Sequence, residues 1–154
     1  MCIRDSTKVM GYLRCAQAVA PYMIGQGWGR IINISSVLGH VGVKYKAAYV
    51  TAKHGILGFT KVVALEGAAH NITAVAVCPS FVRTPLMEKQ IAAQAQNHDI
   101  SEGEVINKIM LEPVPLRRML EPREVAELIL FLTSDAAQTI TGSAVNIDCG
   151  WTSR

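Results

Sequence analysis

The chain has 154 residues, the length of one ordinary domain, which predicts a single folded unit with one hydrophobic core. Half of the residues are hydrophobic and 18% are charged, a composition that excludes a disordered tail or a long solvated helix. The net charge is only +3, and no basic stripe with interleaved aromatic side chains occurs, so no nucleic acid partner is expected.

Helical and strand patterns alternate along the first half of the chain. Apolar residues recur at spacings of three and four over Val9–Met23, which predicts an amphipathic helix ended by Pro21 and the glycines after it. The β-branched segment Arg30–Ser35 predicts a strand covered on both faces. After a loop over residues 37–46, the long proline-free run Ala47–His70 predicts a second helix.

The second half continues this alternation and ends on a strand. Its predicted elements are a buried strand over Asn71–Cys78, a helix capped by Thr84, a short helix opened by a capping box over Ser101–Glu104, a helix over Glu121–Thr133 and a strand over Gly142–Asp148. This order favours an α/β fold with a doubly wound parallel sheet. Only three strands are visible and the first element is a helix, so we expect residues 1–154 to form one domain that is N-terminally incomplete.

The cysteines and histidines show no metal-ligand pattern. The four cysteines, at positions 2, 15, 78 and 149, have neither a C-x-x-C motif nor a repeated spacing, which indicates no zinc site and no disulfide framework. A reducing, cytoplasmic location is therefore expected. No apolar run approaches the length of a membrane span, and no apolar signal region follows Arg4, so we expect a soluble protein with no membrane partner.

Three chemistry-bearing residues are predicted to meet at the carboxyl edge of the sheet, where open α/β sheets carry their working groups. Ser36 follows the first visible strand, and Tyr49 and Lys53 begin the next helix. Residues at i and i+4 share a helix face, with β-carbons about 5–6 Å apart. A phenol with a reference pKa of about 10 is a poor base at neutral pH, and a fixed ammonium about 4–6 Å away favours the phenolate. The spacing suits acid/base chemistry with Ser36 hydrogen-bonded to the substrate oxygen; the alternative is a surface lysine beside a helical tyrosine.

Further motifs accompany these residues in a fixed order. The first group of motifs consists of Asn-Ile-Ser-Ser36, Gly39, Tyr49 and Lys53. The motifs that follow along the chain are Cys78-Pro79-Ser-Phe-Val-Arg-Thr84-Pro85, Pro115-Leu-Arg-Arg, Glu121-Pro-Arg-Glu-Val-Ala, Phe131-Leu-Thr-Ser-Asp135 and Ile140-Thr-Gly-Ser-Ala-Val-Asn-Ile-Asp. In this combination the chain resembles the short-chain dehydrogenase/reductase family over about residues 9–152. The resemblance implies a Rossmann-like fold of which this chain is the C-terminal portion.

The resemblance implies hydride transfer between NAD or NADP and a small hydroxy or keto substrate. Tyr49 would be the acid/base group, Lys53 would favour its ionised form and bind the nicotinamide ribose, and Ser36 would polarise the substrate carbonyl. Lys8 stands where the family usually has the asparagine of its proton relay, although some members carry lysine there. Ser80 stands where the family commonly has glycine, and the position should tolerate this small side chain with only a modest effect.

The resemblance also assigns cofactor-binding residues besides Tyr49 and Lys53. The segment from Pro79 would lie along the nicotinamide, with the Val82 backbone and the Thr84 hydroxyl at its carboxamide. The family's phosphate-binding turn, Gly-x-x-x-Gly-x-Gly after a strand, has no counterpart here, and Gly25-Gln-Gly-Trp-Gly29 leads into a strand, so a plain loop is expected there. The residue that selects NAD or NADP belongs to the same missing part, so both stay open, with NAD favoured.

Within the family, the segments around Tyr49 and Thr84 and the terminal Gly150-Trp-Thr are similar to the D-3-hydroxybutyrate dehydrogenase group. That likeness implies 3-hydroxybutyrate and acetoacetate as substrates, with Lys46 and Gln90 holding the carboxylate. The alternative is that Lys46 is a loop lysine and Gln90 a polar position on an amphipathic helix, because the histidine expected two residues after the serine is here Leu38.

Two other functions stay open. A 3-oxoacyl-thioester reductase of the same family would not need Lys46 or Gln90. A truncated, non-catalytic fragment or dimerisation partner would keep the helices over Val9–Met23 and Ala47–His70, which by resemblance form the interface of a homodimer or homotetramer and otherwise simply pack in the core. Alone, the chain is expected to be marginally stable, because a sheet edge and helix faces stay uncovered.

Overall fold

The computed structural model describes residues 3–153, with side chains from Val9 onward. Within these residues the helices are α1 (Ile3–Gln26), α2 (Ala47–Gly67), α3 (Pro85–His98), α4 (Glu102–Glu104) and α5 (Pro122–Thr133), and the strands are β1 (Gly29–Ile34), β2 (Ile72–Pro79) and β3 (Ala144–Ile147). The element order is the one predicted from the sequence.

The three strands form one parallel sheet in the order β1-β2-β3. The central strand β2 is buried along its whole length. One sheet face packs against α5, where Val75 and Val77 contact Leu132 in a buried cluster. On the other face Asn33 donates a hydrogen bond to Thr60 of α2 at 2.9 Å. Helices therefore cover both faces, which confirms the predicted doubly wound α/β fold.

Helix α1 continues past Pro21, so the prediction that this proline ends the helix is wrong. Proline removes one backbone donor, a loss that a long helix packed against its neighbours tolerates. The last residue of the helix is Gln26, and Gly27 follows it with a φ of 64°, in the left-handed region. The Gly27 N–H donates to the Ile24 carbonyl at 3.1 Å, and the Trp28 N–H donates to the Met23 carbonyl at 3.2 Å. The glycine segment is a helix-to-strand connection, as predicted.

Local capping sets the other helix starts. The Thr84 hydroxyl accepts a hydrogen bond from the Met87 N–H at 3.3 Å, which confirms Thr84 as the N-cap of α3. Ser101 and Glu104 form the predicted capping box. The chain then continues from α4 as a π-helix over Val105–Met110, which the sequence did not predict.

In the part of the chain that the structure describes, no helix is long and apolar enough to cross a membrane. Over the same residues, no group of three or more His, Cys, Asp or Glu side chains could hold a metal ion. The described cysteines are free thiols, with Cys15 exposed and Cys78 and Cys149 buried.

The turn after β3 closes around the Asp148 carboxylate. Its Oδ1 accepts from the Gly150 N–H at 3.0 Å, and its Oδ2 accepts from the Thr152 N–H at 2.8 Å and the Thr152 hydroxyl at 2.6 Å. Burial alone would raise the pKa of Asp148, but these hydrogen bonds outweigh it and hold the pKa below its usual value. Trp151, between the two tethered residues, packs against Phe81 with ring centroids 5.2 Å apart and the ring planes tilted by 39°. The turn therefore ties the end of β3 to the loop after β2.

We expect the Asp148 turn to make folding sensitive to acid. Because the folded-state pKa is depressed, the stabilisation is present above the unfolded-state pKa of about 3.9 and is lost as the pH falls through the folded value. Asp148→Asn should lower the Tm at pH 7 and reduce the fall in Tm between pH 7 and pH 3, measured by thermal melts. Asp135→Asn, at an exposed aspartate, is the control. An unchanged Tm at pH 7 in Asp148→Asn would contradict this role for the carboxylate.

Candidate active site

The carboxyl end of β1 is fastened to α2 by two hydrogen bonds that both involve Lys53. The Lys53 ammonium donates to the Ile34 carbonyl at 2.8 Å, and the Ser35 hydroxyl donates to the Lys53 carbonyl at 3.0 Å. A β-carbon at Gly39 would lie 2.8 Å from the Ser35 hydroxyl oxygen and 3.1 Å from the Lys53 carbonyl. The missing side chain of Gly39 therefore permits this close approach of strand and helix.

Lys53 and Tyr49 lie on one face of the first turns of α2. The Lys53 Nζ is 5.7 Å from the centroid of the Tyr49 ring, and the lysine side chain is buried, at 8% exposure, while Tyr49 is half-buried. The structure thus brings the phenol and the ammonium together as the spacing of four predicts.

Ser36 directly follows the residue that is bonded to α2. Its backbone is extended, and its hydroxyl oxygen accepts a hydrogen bond from the Leu38 N–H at 3.2 Å, which caps the short 3₁₀ turn over Val37–Gly39. Because a hydroxyl both accepts and donates, its hydrogen is still available to a carbonyl oxygen. Ser36 therefore lies at the carboxyl edge of the sheet as a buried group able to donate.

The loop after β2 reaches the same edge of the sheet. Pro79 is the last residue of β2, and Val82 forms an isolated parallel bridge with Leu120. That bridge uses the Phe81 carbonyl and the Arg83 N–H, both at 2.8 Å from their Leu120 partners. In this pattern the N–H and the carbonyl of Val82 itself face the opposite side of the loop. The Thr84 hydroxyl oxygen caps α3, and its hydrogen stays free to donate.

The two residues expected to hold a substrate carboxylate lie on the surface, unlike the buried Ser36 and Lys53. Lys46 precedes α2 and Gln90 lies on α3, and both side chains are exposed. Over the described residues, neither side chain makes a hydrogen bond or an ion pair. The structure therefore leaves both groups in solvent. The side chain of Lys8 lies outside the described residues.

Reasoning from the sequence missed Tyr12 as a neighbour of this site. Its hydroxyl donates to the Ile34 carbonyl at 2.8 Å, the same oxygen that receives the Lys53 ammonium. Burial, and secondarily the nearby Tyr49 phenol, raise the pKa of Tyr12 above its usual value. The sequence did contain an indication of this contact. Tyr12 falls on the apolar face of α1, and a tyrosine on a packed face usually finds a hydrogen-bond partner for its hydroxyl.

Comparisons with known proteins define the class. A family model described as enoyl-(acyl carrier protein) reductase matches residues 6–152. The chain is 49% identical over 134 residues to the D-beta-hydroxybutyrate dehydrogenase of Rhizobium meliloti (strain 1021), covering 87% of this chain and 52% of that protein. It is 38% identical over 145 residues to the 3-oxoacyl-[acyl-carrier-protein] reductase FabG of Thermotoga maritima, covering 94% and 54%.

Solved structures give the same result. A variant of actinorhodin polyketide ketoreductase, solved with NADPH, superposes with a TM-score of 0.87 at 36% identity, over 96% of this chain and 57% of that one. The fold is therefore part of a Rossmann-type, doubly wound α/β unit. The chain belongs to the short-chain dehydrogenase/reductase family of oxidoreductases, and it spans about half the length of the curated relatives it matches.

Proposed function

We propose that the chain is the catalytic portion of an NAD(P)-dependent short-chain dehydrogenase, with Tyr49 as the acid/base group. The observation that carries this proposal is the buried Lys53 ammonium, held at 2.8 Å by the Ile34 carbonyl and 5.7 Å from the Tyr49 ring. A fixed, buried cation beside a phenol can offset the negative charge that the phenol oxygen carries when it exchanges a proton with a substrate.

The proposed roles follow from what each side chain can donate or accept. In alcohol oxidation the Tyr49 oxygen accepts the hydroxyl proton, the Lys53 charge stabilises the phenolate, and the Ser36 hydroxyl donates to the substrate oxygen. When bound, the nicotinamide cofactor supplies the hydride acceptor or donor. In ketone reduction Tyr49 returns the proton to the carbonyl oxygen while Ser36 polarises it.

The loop after β2 suits the amide end of such a cofactor. The outward-facing N–H and carbonyl of Val82 offer one donor and one acceptor side by side, which complements a carboxamide. The Thr84 hydroxyl adds a donor, and Pro79 shapes the start of the loop. We assign these three residues and Lys53 to cofactor binding, with NAD favoured over NADP, and we propose that residues 1–154 are one partial domain whose phosphate-binding half is supplied by other residues.

The proposed substrate pair is 3-hydroxybutyrate and acetoacetate. The Rhizobium meliloti relative at 49% identity supports this choice. A second candidate, reduction of a 3-oxoacyl thioester, is supported by the likeness to the Thermotoga maritima reductase. The two candidate substrates differ in one functional group, because only the free acid has a carboxylate that the site must bind. We give this binding role to Lys46 and Gln90.

A chimera tests the proposal as a whole. The first half of the Rhizobium meliloti relative would precede this chain from Val9, and NADH formation would be followed with D-3-hydroxybutyrate. We expect turnover by the chimera. A folded chimera that turns over neither D-3-hydroxybutyrate nor a 3-oxoacyl thioester would favour the non-catalytic alternative.

Lys46→Ala in the chimera should raise the KM for D-3-hydroxybutyrate by about tenfold, the lower end of what a hydrogen bond to a charged group contributes. The kcat should change little, because Lys46 does not touch the reacting carbon. The measurement is initial rate against substrate concentration, with Lys44→Ala, another exposed lysine of the same loop, as the matched control. An equal KM in the parent and in Lys46→Ala would contradict the proposed binding of the substrate carboxylate by Lys46 and would favour a 3-oxoacyl thioester as the substrate.

We also propose that the complete protein is a homodimer or homotetramer. Helices α1 and α2 contact each other and expose apolar side chains, namely Val19, Tyr22, Val62 and Leu65. Exposed apolar side chains on two neighbouring helices support a contact with another chain there.

A further inference from the structure

Leu120, in the segment before α5, holds the loop after β2 by two backbone hydrogen bonds. The Leu120 N–H donates to the Phe81 carbonyl, and the Leu120 carbonyl accepts from the Arg83 N–H, both at 2.8 Å. These bonds turn the N–H and the carbonyl of Val82 to the opposite side of the loop. The direction in which Val82 offers its donor and acceptor therefore depends on the two peptide groups that flank Leu120.

One ion pair binds the far side of both peptide groups. Arg118 and Glu124 form two parallel hydrogen bonds, from Nη1 to Oε2 at 2.8 Å and from Nη2 to Oε1 at 2.7 Å. The Arg118 Nη1 also donates to the Met119 carbonyl at 3.2 Å. The Glu124 Oε2 also accepts from the Glu121 N–H at 2.8 Å. The ion pair thus contacts the residue before Leu120 and the residue after it.

The geometry of the peptide bond connects these contacts to the loop. The Met119 carbonyl and the Leu120 N–H belong to one planar peptide group, and the Leu120 carbonyl and the Glu121 N–H belong to the next. In a trans peptide group the carbonyl and the N–H point in opposite directions. Each plane is therefore bonded on one side to the ion pair and on the other side to the loop after β2.

Packing of the Leu120 side chain does not replace this arrangement. The side chain is buried in a cluster with Leu111, Val114 and Cys149, which sets how deeply the residue lies. The planes of the flanking peptide groups are set by the backbone dihedrals and by the hydrogen bonds that the groups make. The hydrogen bond from Arg118 lowers the pKa of Glu124 to about 2, so the carboxylate is charged at neutral pH.

We propose that Arg118 and Glu124 are positioning residues for the loop after β2. By fixing the two peptide planes at Leu120, they set the direction in which Val82 presents its N–H and carbonyl to the carboxamide of the nicotinamide cofactor. The link to the cofactor rests on the proposed function; the fixing of the peptide planes does not. Both side chains are partly exposed, so we expect the pair to act more on the direction of the loop than on global stability.

A role limited to capping α5 is the alternative, because Glu124 also belongs to the capping box at the start of that helix. Two substitutions separate the roles. Glu124→Gln keeps a side-chain oxygen for the Glu121 N–H but removes the charge that binds Arg118. Arg118→Gln leaves the capping box intact. Capping alone predicts that Arg118→Gln has no effect on the loop after β2.

Amide hydrogen exchange, followed by NMR in the 154-residue chain, measures the first part of the proposal. Arg118→Gln and Glu124→Gln should each raise the exchange rates of the Arg83 and Leu120 amides by about two- to fivefold, the upper part of the range for an exposed ion pair. The amides of the β1–β2 ladder should keep the parent rate, which separates a local effect from global unfolding. The double variant should exceed neither single variant, because both remove the same pair.

Arg123→Gln is the matched control. It breaks the pair between Arg123 and Glu127, 2.8 Å apart on the exposed face of the same helix, and it should leave both amides at the parent rate. Arg118→Lys covers the case in which Arg118→Gln does not fold, since lysine keeps the charge but cannot form two parallel bonds, and it should give an intermediate rate. Parent exchange rates at both amides in folded Arg118→Gln or Arg118→Lys would overturn the proposal.

Cofactor binding by the chimera measures the second part. Titrations of the nicotinamide fluorescence with NADH and with NADPH need no turnover. Arg118→Gln should raise the Kd of the cofactor that the parent binds more tightly by about two- to fivefold, whereas Arg123→Gln should leave it unchanged. The KM for D-3-hydroxybutyrate at saturating cofactor should also stay unchanged, because the pair does not contact substrate. A purely structural loss would reduce the amount of folded protein without changing the Kd.

The outcomes separate this inference from the proposed function. A chimera that binds the cofactor with the expected change in Kd but does not turn over would refute only the proposed catalysis. A chimera that turns over with an equal Kd in the parent and in Arg118→Gln would refute only the positioning role. A folded chimera that binds neither NADH nor NADPH would overturn both.

Discussion

Tyr49→Phe in the chimera should lower the rate of alcohol oxidation by about 10²–10⁴-fold, the usual contribution of a positioned acid/base group. The substitution removes one oxygen and keeps the ring, which is half-buried at the start of α2. We therefore expect the chimera to stay folded, with a Tm that changes by no more than about 2–4 °C, the shift that about 1 kcal/mol gives in a protein of this size. The measurement is kcat from initial rates of NADH formation, with the melt recorded on the same preparation.

Tyr45→Phe is the matched control for Tyr49→Phe. Tyr45 lies four residues before Tyr49, in the turn that precedes α2, and is fully exposed. It should retain the parent rate, because its hydroxyl reaches neither Lys53 nor the end of β1. A Tyr49→Phe chimera that retains a tenth or more of the parent kcat would rule out Tyr49 as the acid/base group.

Lys53→Met should lower kcat by about 10²–10³-fold, the size of effect found when one preorganised electrostatic group is removed. Methionine keeps most of the length of the side chain and its packing, but it removes the charge that faces the Tyr49 ring at 5.7 Å. The Ile34 carbonyl keeps its bond from the Tyr12 hydroxyl, so the fold should survive. The measurement is kcat and KM of the chimera for D-3-hydroxybutyrate.

Lys61→Met tests whether the loss is specific to the site. Lys61 lies two turns further along α2 and is exposed. It should leave kcat unchanged, whereas comparable losses in Lys53→Met and Lys61→Met would point to helix stability instead of a local charge.

Local chemistry made the fold largely predictable from the sequence. Thr84 and Ser101 were recognisable as helix starts because an N-cap bond involves residues only three apart. The prediction that Pro21 ends α1 was wrong, because the helix continues to Gln26 and stops before the left-handed Gly27. The packing that sustains the helix through Pro21 involves residues distant in sequence, so no local pattern indicates it. The π-helical turn over Val105–Met110, which places Val105 and Met110 in a buried cluster, was not predicted, because no local sequence pattern distinguishes it from an α-helix.

The pairing of Tyr49 with Lys53 and the place of Ser36 at the end of a strand were predictable from the sequence, but the contacts that hold them were not. Tyr49 and Lys53 share a helix face by their spacing of four. The contacts that hold Lys53 join it to Ile34 and Ser35 across 19 and 18 residues, and Tyr12 reaches Ile34 across 22. Such contacts arise only when α1, β1 and α2 pack together, so periodicity and spacing cannot reveal them. The roles given to Lys46 and Gln90 come from resemblance, and the structure shows both in solvent.

Transfer of deuterium tests the central claim most directly. The chimera is given D-3-hydroxybutyrate carrying deuterium on the carbinol carbon, together with NAD, and the reduced nicotinamide is examined by mass spectrometry. We predict one deuterium in the reduced cofactor from the parent chimera and from Tyr45→Phe, and none above background from Tyr49→Phe within the same time. Deuterium transfer at the parent rate by Tyr49→Phe would contradict the claim that this chain carries the catalytic site. The same holds for a folded parent chimera that transfers no deuterium while the Rhizobium meliloti relative does, and that also fails to reduce a 3-oxoacyl thioester.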